Sequence, residues 1–162
     1  MDVLAIKEES LGAGQVAGQN SLQLIAFSIG EQTYGVEITT VREIRAWNGA
    51  TPLPNARDYV RGVINLRGTI VPVFDLRARF GEGRTSPTKN HVVVVMSVGE
   101  KWVGILVDAV SDILTVSRDD IHAVPDSNSI DTELLTGIIT HDNRMVGLID
   151  LHAVVLGTPT DA

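Results

Sequence analysis

One eighteen-residue pattern is written twice in this chain, and nothing else in it constrains the fold as much. Residues 59–76 read YVRGVINLRGTIVPVFDL; seventy-five positions on, residues 134–151 read LLTGIITHDNRMVGLIDL. With no gap, Gly62 falls on Gly137, Val71 on Val146, Asp75 on Asp150 and Leu76 on Leu151. A second pair, YGVEITTVREI at 34–44 and VGILVDAVSDI at 103–113, recurs at an offset of sixty-nine. It sets Gly35 on Gly104, Val41 on Val110 and Glu43 on Asp112. Between them Leu53-Pro54 returns as Val124-Pro125. A hydrophobic rhythm that recurs in one order predicts two related structural units. Two similar halves make a scaffold with a cleft more readily than a catalytic centre.

The local signals are those of short strands. Residues 22–29, LQLIAFSI, read as a strand closed by a turn at Gly30-Glu31-Gln32 and answered by 33–38. Residues 43–47 follow, then Asn48-Gly49, a strong turn pair. Residues 62–66 and 69–74 flank Arg67-Gly68, a tight hairpin whose glycine supplies positive φ. Pro72 lacks an N–H, so its strand is expected at an edge or with that nitrogen turned outward. The second half repeats the plan at 91–98, 102–107, 111–115, 136–141 and 144–149, with Asp142-Asn143 as a turn. This predicts about ten short strands, five per half, as in barrels or a sandwich. Asp75 is expected to cap a short helix running to Phe80, and Asp150 a terminal helix stopped by Gly157 and Pro159. The polar stretch 81–89 is the expected seam between the halves. Residues 1–20 read as a poorly ordered tail.

Composition removes several function classes. A net charge of −7 argues against nucleic acid, whose phosphates demand clustered Lys and Arg. The basic run Arg77, Arg79, Arg84 is interrupted by Glu82. With no cysteine there is no disulfide, thiolate zinc site or Cys nucleophile. None of His91, His122, His141 and His152 stands at a ligand spacing from another His, Asp or Glu. Asp75, Asp108 and Asp150 follow strands, where carboxylates can do acid–base work. Each also precedes residues expected to turn helical, and capping is the favoured role. No nucleophile elbow and no phosphate loop is present. Neither enzyme activity, cofactor nor metal is expected. No apolar run approaches the ~20 residues of a membrane span, and the first ten residues lack the features of a secretion signal. A soluble cytoplasmic protein is expected. Read alone, Trp47 covers a barrel end or stands half exposed, Arg67 is a solvated turn residue, and Val41 and Ile44 are core.

The string GVINLRGTIVPVFDLR at 62–77 strongly resembles the CheW family of chemotaxis coupling proteins. So do YGVEITTVREIR at 34–45, VGILVDAVSDIL at 103–114 and LLTGI at 134–138. The resemblance runs from about residue 22 to 156. It implies an all-β fold of two five-stranded SH3-like barrels around a shared apolar core, with short helices. The implied domain covers 21–157, its subdomains about 33–88 and 89–152 with terminal segments packing across, and a short tail at 158–162. It implies an adaptor bridging the cytoplasmic tip of methyl-accepting chemoreceptors to the regulatory domain of the histidine kinase CheA. Other CheW-like domains in rings are further implied partners, with recruitment to membrane-associated receptor arrays and no membrane insertion. The implied receptor-contact residues are Val41, Glu43, Ile44 and Arg67, joined by Ile113 on the repeat of the Ile44 strand. Kinase contacts are expected from edges of both barrels. The second hairpin, Thr140 to Arg144, lacks the Leu-Arg-Gly of the first, so the barrels are expected to meet different partners. No receiver domain, such as related adaptors carry, is expected. Two other readings stand beside this one: a CheW-like adaptor of a non-motility pathway, and a small-ligand β-barrel.

Overall fold

A computed structural model describes residues 20–124 and 131–156. The expected tails, apart from Asn20, lie outside these residues, as do Pro125 and the helix stop at Gly157 and Pro159. The strands of the first half are β1 (Ser21–Ile29), β2 (Gln32–Glu37), β3 (Val41–Ala46), β4 (Val60–Leu66) and β5 (Thr69–Asp75). The second half holds β6 (Val92–Val98), β7 (Lys101–Val107), β8 (Ala109–Ser117), β9 (Ile121–His122), β10 (Leu135–His141) and β11 (Arg144–Ile149). The helices are short: α1 (Leu76–Arg79), α2 (Asp131–Leu134) and α3 (Leu151–Leu156). The all-β expectation holds, with two-residue β9 as an eleventh strand.

The two halves exchange hairpins. One sheet runs β8-β1-β2-β11-β10-β9 and the other β3-β6-β7-β5-β4. Each sheet therefore takes three or four strands from one half and a β-hairpin from the other. The expected division near residue 88 follows the repeat in the chain, whereas sheet membership crosses it.

The repeat survives in detail. Leu148 opposes Gly35 across a parallel pair, as Val73 opposes Gly104. An extra residue bulges β3 between Val41 and Glu43, and β8 bulges at its equivalent, between Val110 and Asp112. His122 opposes Ile138 in β9–β10, and Thr51 opposes Val63 in an isolated bridge. Gly62 and Gly137 share one purpose. A Cβ at Gly62 would lie 2.1 Å from the Thr51 carbonyl oxygen, and one at Gly137 would lie 2.6 Å from Ile121 Cγ2. Only glycine lets that crossing segment approach. Both long hairpins turn through two positive-φ residues, Arg67-Gly68 and Asp142-Asn143, the geometry that matches strand twist.

Burial explains the apolar runs. In β6, Val93 and Val95 face a cluster within their own sheet with Leu66, Val71, Val73 and Leu106. Val94 and Met96 face a core shared by both sheets, with Ile25, Phe27, Val36 and Ile105. A strand buried on both faces needs an unbroken apolar sequence. Of the two arrangements expected for Pro72, the edge strand is not the one found: β5 is interior, between β7 and β4. The β5–β7 ladder begins at Val73 with Gly104, so Pro72 precedes it and no ladder bond needs its N–H.

The three strand-end aspartates differ. Asp75 caps α1 by accepting the Ala78 N–H at 3.3 Å, and Asp150 accepts the Ala153 N–H at 3.1 Å. Asp75 is fully buried and also accepts the Thr85 N–H (2.7 Å) and hydroxyl (2.8 Å). Asp108 caps no helix. It leads into β8, and its Oδ2 accepts the Gly30 N–H at 2.7 Å and an Arg77 N–H at 3.0 Å. It thus ties the β1–β2 turn in one sheet to the helix that follows the other.

Candidate functional site

Arg67 is held out by backbone geometry. It sits at φ 53, Gly68 follows at φ 90, and the Asn65 side chain accepts the Gly68 N–H at 2.7 Å. A two-residue turn between paired strands leaves the arginine little backbone freedom. Its guanidinium reaches Glu43 of β3 at 2.8 Å while the side chain remains 74% exposed. Glu43 is only 15% exposed and also faces Arg45 at 3.7 Å. The ion pair spans from β3 to the β4–β5 turn, the two edges of one sheet.

The five expected contact residues divide. Glu43 and Arg67 touch. Ile44 and Ile113 are half-buried against the shared core, from equivalent positions in different sheets. The bulge in β3 sets Val41 and Ile44 on the same face although they are three residues apart. Val41 is 1% exposed and packs inside that core. An anchor must be reachable, so Val41 supports the surface from beneath rather than presenting itself to a partner.

Trp47 is expected from the sequence to cover a barrel end or stand half exposed, whereas Arg61 beside it carries no obvious sequence signal. Trp47 covers the end of the apolar cluster within its sheet, and the Arg61 guanidinium lies 5.8 Å from its ring centroid. Burial lowers the Arg61 pKa from its ordinary value, and neighbouring Arg84 adds to this; Asp75, at 3.6 Å, opposes it. Among the described residues no three His, Cys, Asp or Glu gather to hold a metal ion, and no helix is long and apolar enough to cross a membrane.

A mostly apolar groove of about 860 Å³ opens on the same sheet, lined by Leu53, Ile70, Pro72, Phe74, Trp102 and Val103. Ile70 is 59% exposed, and its repeat equivalent Met145 is 63% exposed. The repeat shows why the groove exists. Val103 and Val155 occupy the positions that Tyr34 and Phe80 hold in the other unit. There the two rings stack at 4.7 Å and fill the space; here two valines leave it open.

Comparison with known proteins gives a consistent answer. The CheW-like domain matches residues 23–156. The chemotaxis protein CheW of Rhizobium meliloti is 47% identical over 133 residues, covering 82% of this chain and 86% of that protein. The chemotaxis protein CheW of Klebsiella aerogenes is 38% identical over 144 residues, covering 88% and 85%. The crystal structure of the scaffolding protein TtCheW from Thermoanaerobacter tengcongensis superposes with a TM-score of 0.77 at 32% identity, covering 82% of this chain and 86% of that one. With its doubled strand plan, exchanged hairpins and a matching domain over most of its length, this chain belongs to the CheW family.

Proposed function

We propose that the chain is a chemotaxis adaptor that couples chemoreceptor cytoplasmic tips to the histidine kinase CheA in signalling arrays. Family membership across residues 23–156 carries the reading. An adaptor needs exposed anchors ringed by polar groups rather than a reactive centre. A receptor tip is a helical hairpin, which docks into a groove through one face. In this reading Ile44 and Ile113 supply half-buried apolar contacts, with Val41 as packing beneath Ile44. Arg67, already oriented by Glu43 at 2.8 Å, supplies a charge-assisted hydrogen bond at the rim.

The kinase regulatory domain is assigned to the apolar groove around Ile70 and Trp102. The filled Tyr34–Phe80 position of the other unit supports this, because it indicates that an aromatic side chain suits the space. Weak individual contacts gain avidity in an ordered array. Co-sedimentation of receptor with an Arg67→Ala variant, and pull-down of the kinase regulatory domain with Ile70→Glu, test the two surfaces separately. Loss of receptor binding in the first and of kinase binding in the second is the expected result. Unchanged binding in either removes that surface from the proposal.

A further inference from the structure

The β3 and β4 edges leave a cleft of about 450 Å³ between them, lined by Arg45, Asn48, Thr51, Val63 and Asn65, with Val93 among its walls. The other sheet shows what closes such a seam. Its equivalents of Arg45, Ile64 and Val93 are Leu114, Ile139 and Leu24, all buried in one apolar cluster. Here a leucine is replaced by arginine and another by the smaller valine, and the seam stays open and polar.

Both walls carry unpaired backbone. The Trp47 N–H donates to the His91 carbonyl at 2.8 Å, so odd-numbered residues at this end of β3 turn toward β6 and Ala46 turns outward. Val63 exchanges both its backbone bonds with Thr51, away from β5. Asn65, two residues on, points its N–H and carbonyl the same way. Among the described residues nothing pairs with those groups of Ala46 or Asn65. The charge nearby is positive although the chain carries −7: Arg45 lines the cleft, Arg67 shares Glu43 with it, and Arg61 lies over Trp47 beside the buried Asp75, three arginines against two carboxylates. Glu43 is engaged by Arg67 at 2.8 Å and lies 3.7 Å from Arg45, which is 40% exposed.

From these observations we infer that the open β3–β4 seam binds an extended acidic segment of a protein partner. The segment adds backbone hydrogen bonds to the free edge at Asn65 or Ala46 and sets a carboxylate on Arg45. Strand addition of this kind draws affinity from the main chain and selectivity from alternate side chains. A helical receptor tip has no free main-chain groups to offer, so this contact differs in kind from the proposed receptor contact and does not rest on it, although the Glu43–Arg67 pair borders both.

The test is an amide NMR titration of the full chain with the capped pentapeptide Val-Glu-Val-Glu-Val, its lysine counterpart Val-Lys-Val-Lys-Val, and acetate. The Ala46 and Asn65 amides shift and saturate with the glutamate peptide alone. Arg45→Leu, which installs the residue found at the equivalent position, weakens that binding by about tenfold or more, and Arg45→Gln weakens it in the same direction. Circular dichroism and the melting temperature of both variants establish that they are folded. Equal shifts with the lysine peptide, saturation by acetate alone, shifts that follow protein concentration without peptide, or undiminished binding by a folded Arg45→Leu chain would each overturn the inference.

Discussion

Truncating Asp75 to alanine tests whether the repeat has been put to unequal structural use, because Asp150 at the equivalent position is an internal control. Both carboxylates cap a short helix, and losing such a cap costs about 1 kcal/mol. For Asp150 the Ala153 N–H is the bond at stake, and the site is half-buried, so about 1 kcal/mol is the whole expected effect. For Asp75 the loss continues inward. The Thr85 N–H and hydroxyl, bonded at 2.7 and 2.8 Å, would be left without an acceptor in a residue only 8% exposed. Each buried donor left unsatisfied costs about 1–3 kcal/mol. Arg61, 13% exposed and 3.6 Å from Asp75, would also lose its carboxylate. The cap and the two Thr85 donors together make about 3–7 kcal/mol for Asp75→Ala, before any loss at Arg61, against roughly 5–15 for the whole fold. With a urea slope of about 2 kcal/mol/M, the unfolding midpoint falls by roughly 1.5–3.5 M for Asp75→Ala and about 0.5 M for Asp150→Ala. Equilibrium urea unfolding followed by circular dichroism measures both. Equal midpoints for the two variants would refute the reasoning, since they would mean that Thr85 finds other partners at little cost.

Glycine positions give a second contrast: Gly62→Ala drives a Cβ to 2.1 Å from the Thr51 oxygen at φ +134, whereas Gly68→Ala, at φ +90, meets nothing within 4 Å. The first should cost about 2–5 kcal/mol and the second about 1, read from thermal unfolding; a reversed order would show that the Thr51 strap yields easily. Hairpin exchange predicts that separate chains of residues 20–88 and 89–162 show no cooperative unfolding alone and regain it when mixed. Cooperative melting of either piece alone would contradict the sheet order. The Arg67–Glu43 pair, with Arg67 74% exposed, should show a coupling of no more than about 1 kcal/mol in a double-mutant cycle on the free protein. A larger value would mean that the pair holds the β3–β4 seam rather than orienting one side chain.

What could be read from the sequence was the local plan. Alternating and continuous apolar runs, Arg67-Gly68 and Asp142-Asn143 announced strands and turns because their causes are local: side-chain period and backbone conformation. The exchange of hairpins was not legible. Which hairpin a strand edge accepts depends on the crossovers at residues 38–40 and at Asp108, and either pairing satisfies the same hydrophobic pattern. The resemblance sets Val41 among the receptor contacts, whereas the residues read alone set it in the core, and it is buried there. A bulge at Arg42 turns it onto the core face with Ile44, and a one-residue irregularity leaves no mark in an apolar–polar pattern. Asp108 looked like a third helix cap because its neighbours resemble those of Asp75; its partners Gly30 and Arg77 lie far off in the chain.

The differences between the halves are therefore more informative than their likeness. Positions shared by the two units include those where backbone crosses backbone, Gly62 with Gly137, those where a helix begins, Asp75 with Asp150, and core positions such as Val71 with Val146. Three of the places where the units part shape the surface of one sheet. Tyr34 and Phe80 fill one groove, while Val103 and Val155 leave the other open. Leu114 closes one seam, while Arg45 keeps the other polar. Arg67 tips one hairpin, and Asp142 stands at the same place on the other with the opposite charge. A fold in which one half merely buttressed the other would have no physical reason to open three surfaces on the same sheet. A scaffold that presents different faces to different macromolecules does.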